Sequence, residues 1–132
     1  MAESPPNPYA RKSTVDVTDP SAWPTTAIVV RGGQGKLEDL RDSLRQDGAF
    51  SVISRPGAEV EVLAASVRNN QIRTTTVNAV VAAGGRLVPT FGANEPPNHC
   101  DLIGLTAEQL DSILGEAVLN PVPQERRWRG NR

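Results

Sequence analysis

The feature that most constrains this chain is an alternation of short β-rich runs with helix-type patterns, clearest between residues 69 and 115. This stretch predicts a strand, a helix, a second strand, a proline-rich loop, a third strand and a second helix, in that order. The alternation begins earlier, at the apolar run AIVVR of residues 27–31. Such a pattern favours a small domain in which helices pack on a sheet.

The full pattern predicts one α/β or α+β domain with about five short strands and four helices. AIVVR is typical of a central strand, whereas Pro89 predicts that its own strand lies at a sheet edge or ends there. The last helix has the sharpest start signal, because Thr106 and Gln109 fit a capping box. Strands are predicted near 27–31, 50–54, 71–75, 86–90 and 99–104, and helices near 36–46, 58–67, 77–83 and 106–115.

Composition divides the 132 residues into three parts. Residues 1–26 are polar and rich in proline, which predicts a flexible arm. Residues 27–120 contain all the predicted strands and helices and form the compact domain. Residues 121–132 hold four arginines and one glutamate, so they predict a basic C-terminal tail of net charge +3 on a chain whose overall charge is −1.

The totals also exclude several classes of protein. One cysteine cannot form an internal disulfide framework or a cysteine-rich zinc site, and the scattered carboxylates show no metal-ligand spacing. We therefore predict no metal and no cofactor. No window approaches eighteen consecutive apolar residues, so no membrane partner is expected, and the reducing cytoplasm is the simplest compartment.

The cadence NNQI, TTV, AAGG, VPT, PNH, GLT and EQ, closed by NP, covers roughly residues 69–121. It resembles a family of short, mostly uncharacterised bacterial proteins and C-terminal modules of conflict or toxin-type loci. The resemblance implies a bacterial setting beside a larger effector, toxin or defence protein. It implies no particular reaction.

A second likeness involves the first two strands. Arg31 at the end of one strand, followed by FSVIS at residues 50–54, is similar in outline to the arginine and serine motifs of some ADP-ribosyltransferases. That family uses a later acidic residue to polarise the nicotinamide ribose. Here the corresponding region reads NEPPNHCDLIG and has no Glu-x-Glu or Gln-x-Glu; Glu95 and Asp101 are poor substitutes.

His99 is the candidate for acid–base chemistry, because it alone has an ordinary pKa near neutrality. Together with Arg31 and Arg86 it would supply a base and cations for a toxin-type enzyme acting on RNA or NAD. Asp101 would share its strand face and could cooperate with it. The alternative is a structural histidine that satisfies backbone groups beside the proline-rich loop. Its neighbour Cys100 is interpreted as a small buried hydrophobe.

The leading hypothesis is an accessory module that acts by protein binding, since the fold is well specified and no active-site constellation is complete. Trp23 and Trp128 are the predicted partner-binding residues, because each places a large ring in a polar terminal segment. The basic residues around Trp128 can also grip phosphates and stack on a base, a less favoured alternative. Assembly of a homo-oligomer is a further alternative.

Overall fold

The core of the protein is a single six-stranded sheet. The computed structural model describes residues 26–90 and 95–129, so residues 1–25 of the predicted arm, Trp23 included, lie outside the described part of the chain. The strands are β1 (Ile28–Gly32), β2 (Phe50–Ser54), β3 (Gln71–Thr76), β4 (Arg86–Pro89), β5 (His99–Ile103) and β6 (Val118–Leu119). The helices are α1 (Leu37–Asp47), α2 (Val60–Ala64), α3 (Val77–Ala82) and α4 (Ala107–Ile113), and a 3₁₀ turn covers Gln124–Arg126.

The strands are arranged in the order β4-β5-β2-β1-β3-β6, and every neighbouring pair is antiparallel. Val29 of β1 lies opposite Ser54 of β2 and Thr75 of β3, so β1 is paired on both sides. The predicted central position of AIVVR is therefore confirmed. β4 is an edge strand that ends at Pro89, as the missing N–H of proline requires.

Three helices cover one side of the sheet, which we call the three-helix face. Strand residues that alternate along the chain, such as Val29, Val52 and Leu102, pack there against Leu40 of α1 and Leu110 of α4 in the larger of two apolar clusters. α3 contributes to the same cluster. The strand residues of this cluster recur at every second position, and the helix residues recur with the helical period. The apolar pattern of the sequence therefore matches the observed core.

The opposite side, the one-helix face, carries α2 alone among the described helices. Leu63 of α2 packs with Val30, Ile53 and Ile72 in the second cluster. Val122 completes this cluster from residues 120–129, which we call the C-terminal strap. α2 and the strap cover the half of this face formed by β1 and β3, while no helix of residues 26–90 or 95–129 covers the half formed by β4, β5 and part of β2.

The predicted mixed domain with four helices is confirmed, and its five predicted strands are all present. The sixth strand, β6, was not predicted. α2 is shorter than its predicted range of 58–67. The capping box at the start of α4 is present: the Thr106 hydroxyl accepts from the Gln109 N–H, and the Gln109 side chain accepts from the Thr106 N–H. Within the described ranges, no helix has the length and apolarity needed to cross a bilayer.

Candidate functional site

A groove of about 240 Å³ lies on the one-helix face, between the strands and the C-terminal strap. Its floor comes from β1 and β2, and its walls come from the end of α2, the strap and the start of β5. Of the residues that the sequence singles out, Arg31, His99 and Trp128 border it, and Arg86 does not. Polar side chains of Ser51, Ser66, Arg68 and Asn69 also line it.

His99 begins β5 at the border of this groove but is only 5% exposed. Its Nδ1 lies 2.6 Å from Thr90 Oγ1 and 3.2 Å from Glu95 Oε2, and its carbonyl accepts from the Thr90 N–H at 3.1 Å. Because one ring nitrogen faces both a hydroxyl and a carboxylate, that side of the imidazole joins the ends of β4 and β5 to Glu95. These contacts fit a structural histidine better than a solvent-accessible base.

Arg31 borders the groove, but its guanidinium belongs to the three-helix face. Nη2 donates to Ser43 Oγ of α1 at 3.0 Å, Nη1 donates to the Ser51 carbonyl at 2.9 Å, and the group lies 5.9 Å from the centroid of the Phe50 ring. Burial lowers the pKa of Arg31, and the charge of Asp39 opposes that shift. Successive strand residues point to opposite faces, so the side chains of Arg31 and of the preceding residue, Val30, lie on opposite sides of the sheet.

Arg86 starts β4 opposite Ile103, whereas Thr90, the hydroxyl partner of His99, follows the other end of that strand. Arg86 and Thr90 are four residue steps apart along the strand direction, which corresponds to about 13 Å. The guanidiniums of Arg31 and Arg86 and the imidazole of His99 therefore do not converge on one point. Asp101 does share the one-helix face with His99, as the sequence predicts.

The thiol of Cys100 is 1% exposed, in line with its interpretation as a small hydrophobe. Burial, followed by the nearby charge of Asp101, raises its pKa to about 12. A thiol with that pKa carries almost no thiolate at neutral pH and is a poor nucleophile. Among the described residues, no group of three or more His, Cys, Asp or Glu side chains is placed to hold a metal ion.

Trp128 lies on the domain within the C-terminal strap. The backbone N–H of Trp128 donates to the Ala65 carbonyl at 2.7 Å, and the Arg68 guanidinium lies 5.9 Å from the centroid of the Trp128 ring. The neighbouring Arg127 donates to the carbonyls of Val122 and Arg68 and to Asn70 Oδ1. Residues 121–129, which the sequence assigns to the basic tail, thus lie on the domain, and Trp128 among them lines the groove.

Two residues that the sequence analysis did not single out hold distant parts of the chain together, Asn120 beside the groove and Arg73 on the three-helix face. The Asn120 amide donates to the carbonyls of Ala64, Val67 and Asn69, and its Oδ1 accepts from the Val122 N–H. Arg73 performs a similar task on the other face, as described below. The chain signals neither role locally, because both depend on carbonyls about forty to sixty residues away in sequence.

The half of the one-helix face that no helix of residues 26–90 or 95–129 covers forms a second surface, which we call the open half-sheet. Val88 of β4 lies opposite Asp101 of β5, and Arg86 lies opposite Ile103. Ser51 of β2 continues the row, because it pairs with Asp101. Arg86 and Ser51 are exposed and the other three are partly exposed, so two apolar side chains stand among polar ones on a surface of the sheet.

Comparisons of the chain with protein-family models, with curated proteins and with solved structures returned no match. The proposed function therefore rests on the geometry of the described residues.

Proposed function

We propose that this protein is a bacterial accessory module that binds another protein through the open half-sheet. The observation that supports this is the asymmetry of the sheet: the three-helix face is closed by α1, α3 and α4, while Val88 and Ile103 remain partly exposed on the other side. Partly exposed apolar side chains on a sheet surface that no described helix covers are a common site of protein contact.

The charges around these apolar residues favour a protein over a polyanion. Arg86 and Asp101 bring opposite signs to the same few strand positions, so the surface has no net field that would attract a phosphate backbone. An apolar centre with both signs of charge at its rim suits a partner surface of matching composition. The partner we propose is a larger effector, toxin or defence protein of the same locus, in the cytoplasm.

A titration with the products of the adjacent genes tests this proposal. The double variant Val88→Lys/Ile103→Lys places two charges on the open half-sheet, and Val62→Lys/Val81→Lys makes the same change on the exposed faces of α2 and α3. We expect one adjacent product to bind the native protein and to bind the first variant at least about tenfold more weakly, a change of about 1.4 kcal/mol. The control should bind as the native protein does.

Circular dichroism establishes that both variants are folded before binding is compared. Equal affinity of the two variants would contradict the open half-sheet as the contact surface. If none of the adjacent products binds the native protein, the accessory function itself is rejected.

One observation favours the second candidate, a toxin-type enzyme acting on RNA or NAD: Arg31, Ser51 and His99 border the same groove. Expression of the native protein and of His99→Ala in a bacterial host distinguishes the two functions. A catalyst would slow growth only in its native form. Equal growth of both strains, with equal amounts of folded protein, is the result that the accessory function predicts.

A further inference from the structure

Three arginines converge on one cavity of about 220 Å³ beside the groove, which we call the arginine cavity. Arg68, between α2 and β3, and Arg127 and Arg129 of the strap line it, together with Gln124. They come from two separate stretches of the chain, so only the folded strap brings them together.

The three guanidiniums are held by neutral groups. Arg68 lies over the Trp128 ring, Arg127 is fixed by two carbonyls and the Asn70 amide, and Arg129 donates to the Gln124 carbonyl at 3.4 Å. Among the described residues, no carboxylate forms an ion pair with any of them. Within the described ranges, no carboxylate therefore opposes these three like charges, and a bound anion would relieve their mutual repulsion.

The neighbourhood of the cavity distinguishes between anions. Trp128 lies against Arg68 at the edge of the cavity and also lines the adjoining groove, which Ser51, Ser66 and Asn69 border as well. Proteins bind single-stranded nucleic acid with cationic side chains that contact the phosphates and aromatic rings on which the bases stack. Guanidiniums pair well with phosphate oxygens, and here they lie next to an indole and a polar groove.

We propose that the arginine cavity binds the phosphodiester backbone of single-stranded nucleic acid, with an adjacent base against Trp128. The arginine cavity shares no lining residue with the open half-sheet, although the adjoining groove shares Ser51 with it. The proposal does not depend on the accessory function. With three arginines neutralising phosphates, the logarithm of the binding constant should fall with the logarithm of salt concentration with a slope of about −2.

Fluorescence anisotropy of labelled single-stranded RNA and DNA of about ten nucleotides, titrated with the full chain between about 50 and 200 mM salt, tests the proposal. Arg68→Gln/Arg129→Gln removes two of the cavity's charges and leaves Arg127, which also holds the strap. Arg45→Gln/Arg126→Gln makes an equal change of net charge on α1 and on the other side of the strap, where Arg126 lines a different cavity.

We expect the native protein to bind with a dissociation constant of about 10⁻⁴ to 10⁻⁶ M, and the first variant to lose about two thirds of the salt slope and at least about tenfold in affinity. The control should retain the native slope. The proposal is overturned if the native protein does not bind, if the control loses as much as the first variant, or if oligoglutamate binds as tightly as the oligonucleotides, which would indicate an acidic protein segment instead.

Discussion

Arg73 of β3 acts as a clamp between the sheet and the end of α4. Its guanidinium donates to the carbonyls of Asp111, Leu114 and Gly115, to the Gly35 carbonyl and to Asp111 Oδ1, and its side chain is only 11% exposed. The last carbonyls of a helix have no intrahelical partner and carry partial negative charge, so a cation here satisfies both needs.

Replacing Arg73 should therefore destabilise the fold. Arg73→Met keeps an apolar stem but leaves the α4 carbonyls without their donor, and we expect the free energy of unfolding to fall by about 3 kcal/mol, as measured in urea. Arg45→Met is the matched control, because the Arg45 side chain is 74% exposed, and its effect should stay within about 0.5 kcal/mol. Equal losses in the two variants would contradict the clamp.

Cys100 gives a pH dependence of known sign. Its pKa is about 12 in the folded protein against an ordinary value of 9.0, so above pH 9 the unfolded chain has lost a proton that the folded chain keeps. The free energy of unfolding should consequently fall by about 1.4 kcal/mol for each pH unit between those values, and this contribution is fully present below pH 9.

Cys100→Ala isolates this effect, since other groups titrate equally in both proteins. Chemical denaturation at pH 8 and pH 10 should show a smaller loss for the variant, by about 1.4 kcal/mol. Parallel behaviour of the two proteins would show that the thiol is not held neutral by the fold.

At the scale of elements, the Asn120 side-chain amide anchors the start of the C-terminal strap. Asn120 is buried and gives its two amide hydrogens to three carbonyls around the end of α2, which positions Val122 in the second cluster and Trp128 at the groove. β6 ends immediately before Asn120. The Asn120 side chain therefore fixes the chain to the domain at the point where the pairing of β6 with β3 stops.

Asn120→Asp would direct a carboxylate at these carbonyl oxygens. We expect a loss of about 3 kcal/mol in thermal or urea unfolding, because the donors are lost and a buried charge is introduced. Asn78→Asp, at an exposed position in the first turn of α3, is the control and should be neutral within about 0.5 kcal/mol. A strap that tolerates Asn120→Asp would have to be held by other contacts.

The sequence predicts most elements because their signals are local. Hydrophobic period, the Thr106 capping box and Pro89 locate five strands and four helices without knowledge of their partners. β6 escapes prediction because two residues, Val118 and Leu119, are too short to show a period. The strap escapes for another reason: Asn120 donates to carbonyls at the end of α2 and just after it, about fifty residues earlier, and an asparagine before a proline is typical of a helix end.

The candidate site shows the same division. The sequence singles out His99, Arg31, Arg86 and Trp128 as side chains with chemical potential, but their convergence depends on strand order and face. Antiparallel pairing turns the Arg31 guanidinium toward α1 and leaves Arg86 at the far end of β4. The sequence could not predict the arginine cavity either, because Arg68 lies near Arg127 and Arg129 only when the strap is folded onto the domain.

At the scale of the whole molecule, the two sides of the sheet differ in cover. Three helices close one face, and α2 with the strap closes half of the other. The remaining half, the open half-sheet, is therefore the surface on which we expect a partner protein, and it lies apart from the arginine cavity.

The most direct test of this account is a methyl NMR titration of the full chain with the adjacent-gene product that binds it. The account predicts that the methyl signals of Val88 and Ile103 shift or broaden on binding, while those of Val62 and Val81, exposed on α2 and α3, keep their positions. Shifts confined to the helix valines, or no change at Val88 and Ile103 when the partner is bound, would contradict it.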